Sequence, residues 1–344
     1  MEAKHISFPS IGQFREVVKQ VHSGAKWFEV PTPTLKFTGT VKLHGTNFGI
    51  CRPVNGTVDD IYFQSRERII TPLSDNAGAA MWGYSVRNDL NKLFDSIAHD
   101  LFVGETGVIQ IFGEWAGGNI QKGVGLNKIE KSFFVFGIRV SEDSDSTVWK
   151  PRAFIEQKVS EANINNMYHI YQFPTWEVAI NFNNPHEIQN LLGELTLKVE
   201  EDCPVARQLL SPDEAGPLIG EGIVWTMSDG QHIPFTVNRF KVKGEKHSVS
   251  KVKTLASVDV EKVKSVEEFV VKTVTLNRLQ QGLDKMREKG LSIDTRNTGE
   301  FIKWVMGDVF KEELDTLAES GLTTKDVSNK MASVARNFYL ENLK

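Results

Sequence analysis

Through about residue 250, short apolar runs alternate with Gly, Pro, Asn and Asp punctuation. The runs "LKFTGTVKLHG", "DDIYFQSRE", "VIQIFGEW", "KSFFVFGIRV", "GIVWTM" and "IPFTVNRFKVKG" have the length and residue types of strands. Between them, "MWGYSVRNDLNKLFDSIAHDL" and "NNPHEIQNLLGELTL" space their apolar residues three and four apart, which predicts helices. After "GEKHSVSKVKTLASVDVE" the pattern changes. Leu276, Leu279, Leu283 and Met286 recur at helical spacing in "FVVKTVTLNRLQQGLDKMREKG". Two further amphipathic segments follow, "TGEFIKWVMGDVFKEELDTLAESG", with Thr298 as its expected N-cap, and "TTKDVSNKMASVARNFYLENL". The pattern predicts two domains, a mixed α and β domain over residues 1–250 and an all-helical one over residues 251–344. There is no internal repeat and no low-complexity segment.

Composition narrows the setting. The chain has 344 residues, 40% hydrophobic and 24% charged, as in a soluble globular protein of about two domains. No apolar run approaches the ~18–20 residues of a membrane span, and "MEAKHISFPS" lacks the order of a secretory signal. Cys51 and Cys203 form no CxxC pair, and the eight histidines form no HExxH pattern, which disfavours a disulfide framework or a zinc enzyme. A reducing cytosol, or host cytosol, is the expected compartment. The net charge of −4 argues against a uniformly basic coat. Locally, however, Arg239, Lys241, Lys243, Lys246, Lys251 and Lys253 face a single acid, Glu245. Such a patch either holds phosphates or is a solvated strand and loop. The stretch 122–131, "KGVGLNKIEK", is either a nucleic-acid-facing loop or solvated.

There is no GxxxxGK[ST] and no strand-linked GxGxxG, so any nucleotide is bound without a P-loop or a Rossmann crevice. Attention falls instead on Lys42, inside the apolar run "VKLHGTNFGI". A lysine there snorkels, pairs with a carboxylate or does chemistry. Strand parity points Lys241 and Lys243 one way and Phe240 and Val242 towards the core, and puts Arg66 and Arg68 on one face of "FQSRER". Glu114 ends an apolar strand and Glu221 precedes "GIVW". Singly, each has a bland explanation as a surface or loop charge. As a set they match one chemistry, attack of a neutral lysine amine on the α-phosphorus of a nucleoside triphosphate. Free lysine, with a pKa of ~10.4, is almost all ammonium near neutrality, so cationic neighbours and desolvation are needed to activate it. Lys241 and Lys243 supply such neighbours and can hold phosphate oxygens. Glu221 and Glu114 are suited to Mg2+ waters or a ribose.

The order "KLHGTN" (42–47), "FGEWAG" (112–117), "FFVFGI" (133–138), "EGIVW" (221–225) and "FKVKGEKHS" (240–248) resembles motifs I, III, IIIa, IV and V of the covalent nucleotidyltransferase superfamily. Motif I in DNA ligases and capping enzymes is generally KxDG; here His44 replaces the aspartate. That version is similar to the double-strand RNA ligase family, of the phage RNA ligase 2 and kinetoplastid RNA-editing ligase type. "TVTLNR" (273–278) adds a weaker tail resemblance. The resemblance implies an α+β fold: an ATP-grasp-like ligase adenylation domain of antiparallel sheets with flanking helices, then a small all-helical C-terminal domain. It implies ATP and Mg2+ (or Mn2+) as cofactors and RNA, as nicked duplex or an RNA/DNA hybrid, as substrate. Lys42 would be the adenylated nucleophile. His44 and Asn47 would organise the nucleotide and the nick, Glu114 would bond the ribose and Phe136 would stack on adenine. Glu221 would help hold the metal, and Lys241 and Lys243 would contact the α-phosphate. Arg66, matched to motif Ia, would touch nucleotide or nucleic acid, and Arg278 an RNA end. One chain suffices per site, so a monomer is expected.

The alternatives within the superfamily are a DNA ligase, or a capping guanylyltransferase that forms lysyl-GMP. Both normally carry an OB-fold after motif V, where this chain reads helical. A further alternative is an inactive RNA-binding protein on a ligase fold, though none of Lys42, Glu114, Glu221, Lys241 and Lys243 is missing. A repair factor working with a partner end-healing enzyme is compatible with ligation.

Overall fold

The computed structural model describes residues 3–101, 107–121, 123–141, 147–211, 216–228, 238–248, 250 and 256–343. Lys122, Lys251, Lys253 and the predicted strand residues 233–237 lie outside that set.

Twelve strands are seen among the described residues: β1 (Gly12–Gln13), β2 (Thr34–Lys42), β3 (Thr46–Pro53), β4 (Tyr62–Ser65), β5 (Ile69–Ile70), β6 (Val108–Ala116), β7 (Ser132–Ser141), β8 (Thr147–Trp149), β9 (Met167–His169), β10 (Thr175–Asn181), β11 (Gly222–Met227) and β12 (Arg239–Lys243). They make two sheets. The first has the order β1-β12-β11-β2-β10; the second runs β5-β4-β3-β6-β7-β8, with β9 also on β7. Pairing is antiparallel except at β1–β12 and β7–β9. The fold is α+β with antiparallel sheets and a helical C-terminal region.

Each sheet packs one face against helices, and the other face of the second sheet, through Ala116 and Phe134, joins the core of the first. Phe37, Val41, Ile223, Trp225, Phe240 and Val242 of the first sheet pack with Phe14, Val17, Val18 and Val21 of helix α1 (Phe14–Trp27) and Leu192 and Val199 of the His186–Glu201 helix. Alternation along the strands requires this: every second residue must leave water, and each large apolar side chain so buried contributes about 1.5–3 kcal/mol. Phe48, Ile50, Ile109, Ile111, Phe133 and Val135 of the second sheet meet Leu90, Leu93, Phe94 and Ile97 of the Arg87–His99 helix. A third core, including Phe269, Leu279, Met286, Phe301, Val305, Val309 and Tyr339, lies within the tail. Ala256 and Val258 pack into the first core. No helix among the described residues is long and apolar enough to cross a membrane.

Several expected boundaries shift. The predicted helix over 81–101 is two helices, Ala79–Ser85 and Arg87–His99, separated at Val86. The tail segment predicted as one helix breaks into Val266–Thr273 and Leu276–Glu288 because the Thr275 side chain accepts from Arg278 N and starts a second helix. Thr298 is the first helical residue of Thr298–Glu319, after Asn297. Helix α1 went unanticipated although Phe14, Val17, Val18, Val21 and Ala25 carry its spacing. Arg66 and Arg68 are not strand neighbours: they sit in the turn between β4 and β5, where Ser65 N donates to Arg68 O at 2.8 Å. In the 122–131 stretch, Val124, Leu126 and Ile129 are buried and Gly125 N donates to Ile219 O, so core packing anchors this segment.

Candidate active site

Lys42 ends β2 in the first sheet and Thr46 begins β3 in the second. Leu43, His44 and Gly45 are therefore the corner where the chain passes between sheets. Only a glycine suits this corner, since a Cβ on Gly45 would lie 2.3 Å from the Trp115 carbonyl oxygen. Registers place Lys42, Gly222 and Lys243 in one row across β2, β11 and β12, and Thr40, Val224 and Lys241 in the next. These rows face a cleft of ≈1470 Å³; the intervening rows, Val41–Ile223–Val242 among them, face the core. The parity expected for Lys241 and Lys243 is thus seen.

Glu221, just before β11, is buried between them. Its Oε2 accepts from Lys42 Nζ at 2.7 Å and lies 3.3 Å from His44 Nδ1, while its Oε1 lies 3.2 Å from Lys243 Nζ. Gly222 permits this approach: its φ is +150°, and a Cβ there would lie 2.2 Å from the Val242 carbonyl oxygen. Burial pushes the Glu221 carboxyl up, but the Lys42 and Lys243 ammoniums outweigh it and hold the group well below the usual carboxylate range. Burial, with Lys42 and Lys241 nearby, lowers Lys243 despite Glu221.

Across the corner, Glu114 accepts from Gly45 N at 3.0 Å. Burial pushes its carboxyl up to about 7; Lys42 opposes that shift and the Glu221 charge adds to it. Asn47 pairs with Glu114 across β3–β6, and its buried Oδ1 has no hydrogen-bond partner among the described residues. Phe136 reaches the cleft through a backbone irregularity. Gly113 pairs with Val135 but Phe112 with Gly137, so Phe136 is an extra, unpaired residue. Such a bulge re-aims a side chain. It explains why Phe133 and Val135 share the second core with Ile138 and Val140, while Phe136 turns to the cleft and meets Phe8 edge-on at 4.9 Å.

The structure therefore brings Lys42, His44, Asn47, Arg66, Glu114, Phe136, Glu221, Lys241 and Lys243 to one cleft. Lys241, read from the sequence with Lys243 as a cationic neighbour of Lys42, makes its ion pair away from the Glu221 cluster. Its Nζ lies 3.1 Å from Oε1 of Glu312 in the tail. Burial would lower Lys241, but Glu312 outweighs it and raises the ammonium. Arg278 does not reach the cleft. Its side chain is 0% exposed and lies behind the wall, pairing with Asp308 and Glu312 at 2.8 Å each.

Other residues join the cleft: His247, inside the quoted motif V, and Arg239, of the basic patch, had a sequence signal, whereas the tail residues had none because tertiary packing delivers them. His247 packs edge-on to His44 at 5.3 Å, and burial pushes it down to about 4, so it is neutral near pH 7. The tail adds Glu288, whose Oε1 accepts from Thr46 Oγ1 at 3.2 Å, as well as Lys311 and Glu312. Arg239 shares the cleft face of β12, with its guanidinium 5.0 Å from the Trp149 ring centroid. Among the described residues no group of three or more His, Cys, Asp or Glu could hold a metal ion.

No curated protein matches the chain. Similar solved structures include a Naegleria gruberi RNA ligase variant with ATP and Mn, at 17% identity and TM-score 0.45, covering 70% of this chain and 57% of that one. Another is the Naegleria gruberi RNA ligase with pyrophosphate, at 18% identity and TM-score 0.43, with 70% and 56% covered. This chain thus spans little more than half the length of those structures. Residues 35–243, from β2 through the last lysine of β12, match the RNA ligase family, and the chain belongs to it.

Proposed function

We propose that this RNA ligase family member is ATP-dependent and seals 3′-OH/5′-phosphate nicks, in duplex RNA or RNA/DNA hybrids, through lysyl-AMP and adenylated-RNA intermediates. The observation that carries the reading is the convergence of Lys42, Lys243 and His44 on one buried carboxylate, Glu221, at the sheet-to-sheet corner. In this reading residues 1–250 form the adenylyltransferase domain and residues 251–344 a helical domain.

Lys42 Nζ is the nucleophile. Triphosphate oxygens arriving beside Lys243 and Lys241 compete with Glu221 and Glu312 for those ammoniums, which frees Lys42 from its carboxylate as the α-phosphorus arrives. Once released, the Lys42 ammonium gives its proton to water in the cleft, and the lone pair so freed forms the N–P bond as the bond to pyrophosphate breaks. Fixed cations facing the reacting oxygens stabilise charge that water would have to reorganise to meet. Phe136 stacks on adenine, while Glu114 and Asn47 hold the ribose side. The 5′-phosphate of the RNA next attacks lysyl-AMP, giving a 5′–5′ pyrophosphate and returning the proton and lone pair to Lys42. Attack by the 3′-OH then closes the phosphodiester and releases AMP. Glu221 fits Mg2+ or Mn2+, because such a cation keeps most of its waters and takes remaining ligands from one or two carboxylates and phosphates. When bound it would supply positive charge at the departing pyrophosphate. Arg66 is placed in this reading on nucleotide or RNA phosphate, whereas Arg278, buried against Asp308 and Glu312, supports the cleft wall in place of the RNA-end contact the resemblance implied.

The test is intact-protein mass after incubation with Mg2+ and ATP or GTP, on protein first stripped with pyrophosphate, beside Lys42→Ala. One AMP added from ATP alone, and none in the variant, supports the reading; nicked RNA and DNA duplexes then fix the substrate. A GMP adduct transfers the chain to capping chemistry, and no adduct with either nucleotide overturns it.

A further inference from the structure

We propose that Ser10, Arg66 and Lys311 form a second anion seat in the cleft, built to hold a phosphate group and completed by the helical tail. Arg66 Nη2 donates to Ser10 Oγ at 3.3 Å, and Lys311 Nζ donates to the same oxygen. Two cations bonded to one hydroxyl lie within about 6 Å of each other, twice a hydrogen-bond length. Neither has a carboxylate at ion-pair distance among the described residues. The nearest tail acids are already committed: Asp308 to Arg278 at 2.8 Å, and Glu312 to Lys241 at 3.1 Å and to Arg278 at 2.8 Å.

Two like charges drawn together with no carboxylate at ion-pair distance repel. Burial, with Arg66 and Lys241 nearby, pushes the Lys311 ammonium down, and the more distant charges of Asp308 and Glu312 only partly offset that. The arrangement is relieved by a multivalent anion. A guanidinium fork, an ammonium and a hydroxyl present more donors than a two-oxygen carboxylate can use, and they suit the three terminal oxygens of a phosphate. Ser10, Arg66 and Lys311 all line the cleft that holds Lys42, and the Lys241 charge reaches Lys311. The three parts come from distant places: the segment before β1, the β4–β5 turn and the Thr298–Glu319 helix. The seat exists only with the tail docked. Its existence is independent of the role of Lys42; which phosphate fills it, the leaving pyrophosphate of ATP or a backbone phosphate of RNA, rests on the ligase reading.

Calorimetric titration of the full chain with inorganic pyrophosphate tests the seat without turnover. Lys311→Ala and Arg66→Ala should each weaken binding roughly tenfold, the loss of one charge-assisted hydrogen bond. Lys311→Arg should restore most of it, and Lys330→Ala, an exposed charge on the Thr324–Glu341 helix, should leave it unchanged. Two activity arms separate the sources. If pyrophosphate is the occupant, Lys311→Ala slows pyrophosphorolysis of the AMP adduct and spares joining of pre-adenylated RNA. If RNA phosphate is the occupant, the joining step falls and pyrophosphorolysis is spared. A wild type that accepts no AMP would sink the ligase reading but leave the titration decisive for the seat. Lys311→Ala that matches wild type in titration and in both arms overturns the seat.

Discussion

Glu221→Gln removes one negative charge and little volume from the point where Lys42, His44 and Lys243 converge. Removing one partner of a buried ion pair costs about 3–5 kcal/mol, because the remaining charge is stranded. The Lys42 and Lys243 side chains keep 22% and 14% of their exposure, so water and the cleft relieve part of the loss and the low end, about 3 kcal/mol, applies. With unfolding entropy of roughly 2.1 cal/mol/K per residue over a cooperative unit of about 250–344 residues, Tm should fall by about 4–6 °C at pH 7.5. The pH dependence identifies the cause. Glu221 is held well below its ordinary value of 4.5 in the folded protein, so below 4.5 the unfolded chain binds the extra proton. The stabilisation is therefore complete above about pH 4.5 and is lost as pH falls towards the lower folded value. Thermal unfolding of wild type and Glu221→Gln from pH 7.5 to pH 3.5 should show a gap that is constant down to about 4.5 and then narrows. Equal Tm values at pH 7.5, or a gap that widens on acidification, would refute the claim that ion pairing at Glu221 holds the corner together.

The opposite sign is expected at Glu114, whose carboxyl is pushed up to about 7 by burial. Ionising it in the folded protein destabilises progressively between about pH 4.5 and 7, so Glu114→Gln should gain on wild type over that window by about 2 kcal/mol, after discounting for partial exposure, and hold that lead above it; thermal melts across pH check this. Gly45→Ala drives a Cβ to 2.3 Å from the Trp115 carbonyl oxygen and must move the corner carrying Lys42, so AMP transfer to the protein should fall at least about tenfold by mass-resolved kinetics while the circular dichroism spectrum stays native. Phe136→Ala removes the aromatic face at the bulge; the KM for ATP in adenylation should rise roughly tenfold, with rescue by Phe136→Trp, because stacking on a base contributes about 1–3 kcal/mol. Arg278→Met strands Asp308 and leaves Glu312 to Lys241 alone, and should destabilise the tail by about 3 kcal/mol, seen as faster hydrogen exchange in Thr298–Glu319.

The tail is coupled to the corner by more than the proposed seat. Glu288 accepts from Thr46, Arg68 Nε donates to the Glu288 carbonyl, and Arg15 of α1 pairs with both Glu313 and Asp315 at 3.0 Å. These contacts tie tail docking to the residues beside Lys42. An anion drawn to Lys241 must displace Glu312, which connects nucleotide entry to the same helix.

By itself the sequence determined what short-range physics controls. Alternation in "FKVKG" was enough to point Lys241 and Lys243 away from Phe240 and Val242, because neighbouring strand residues must take opposite faces. Helical spacing separated the tail from the mixed α and β region for a similar reason. The order of short motifs named the family because each carries its residues within a few positions of chain. Parity failed at Arg66 and Arg68, where the chain turns, and it could not have located the bulge at Phe136; neither a turn nor a bulge has a period to detect. Only the tertiary structure decided which charges meet. Glu221 takes Lys42 and Lys243 because β11 lies between β2 and β12, and Lys241 goes to Glu312 because a tail helix docks over the cleft. Partners some 70 to 180 residues apart are chosen by packing of whole sheets and helices, and no local pattern carries that choice.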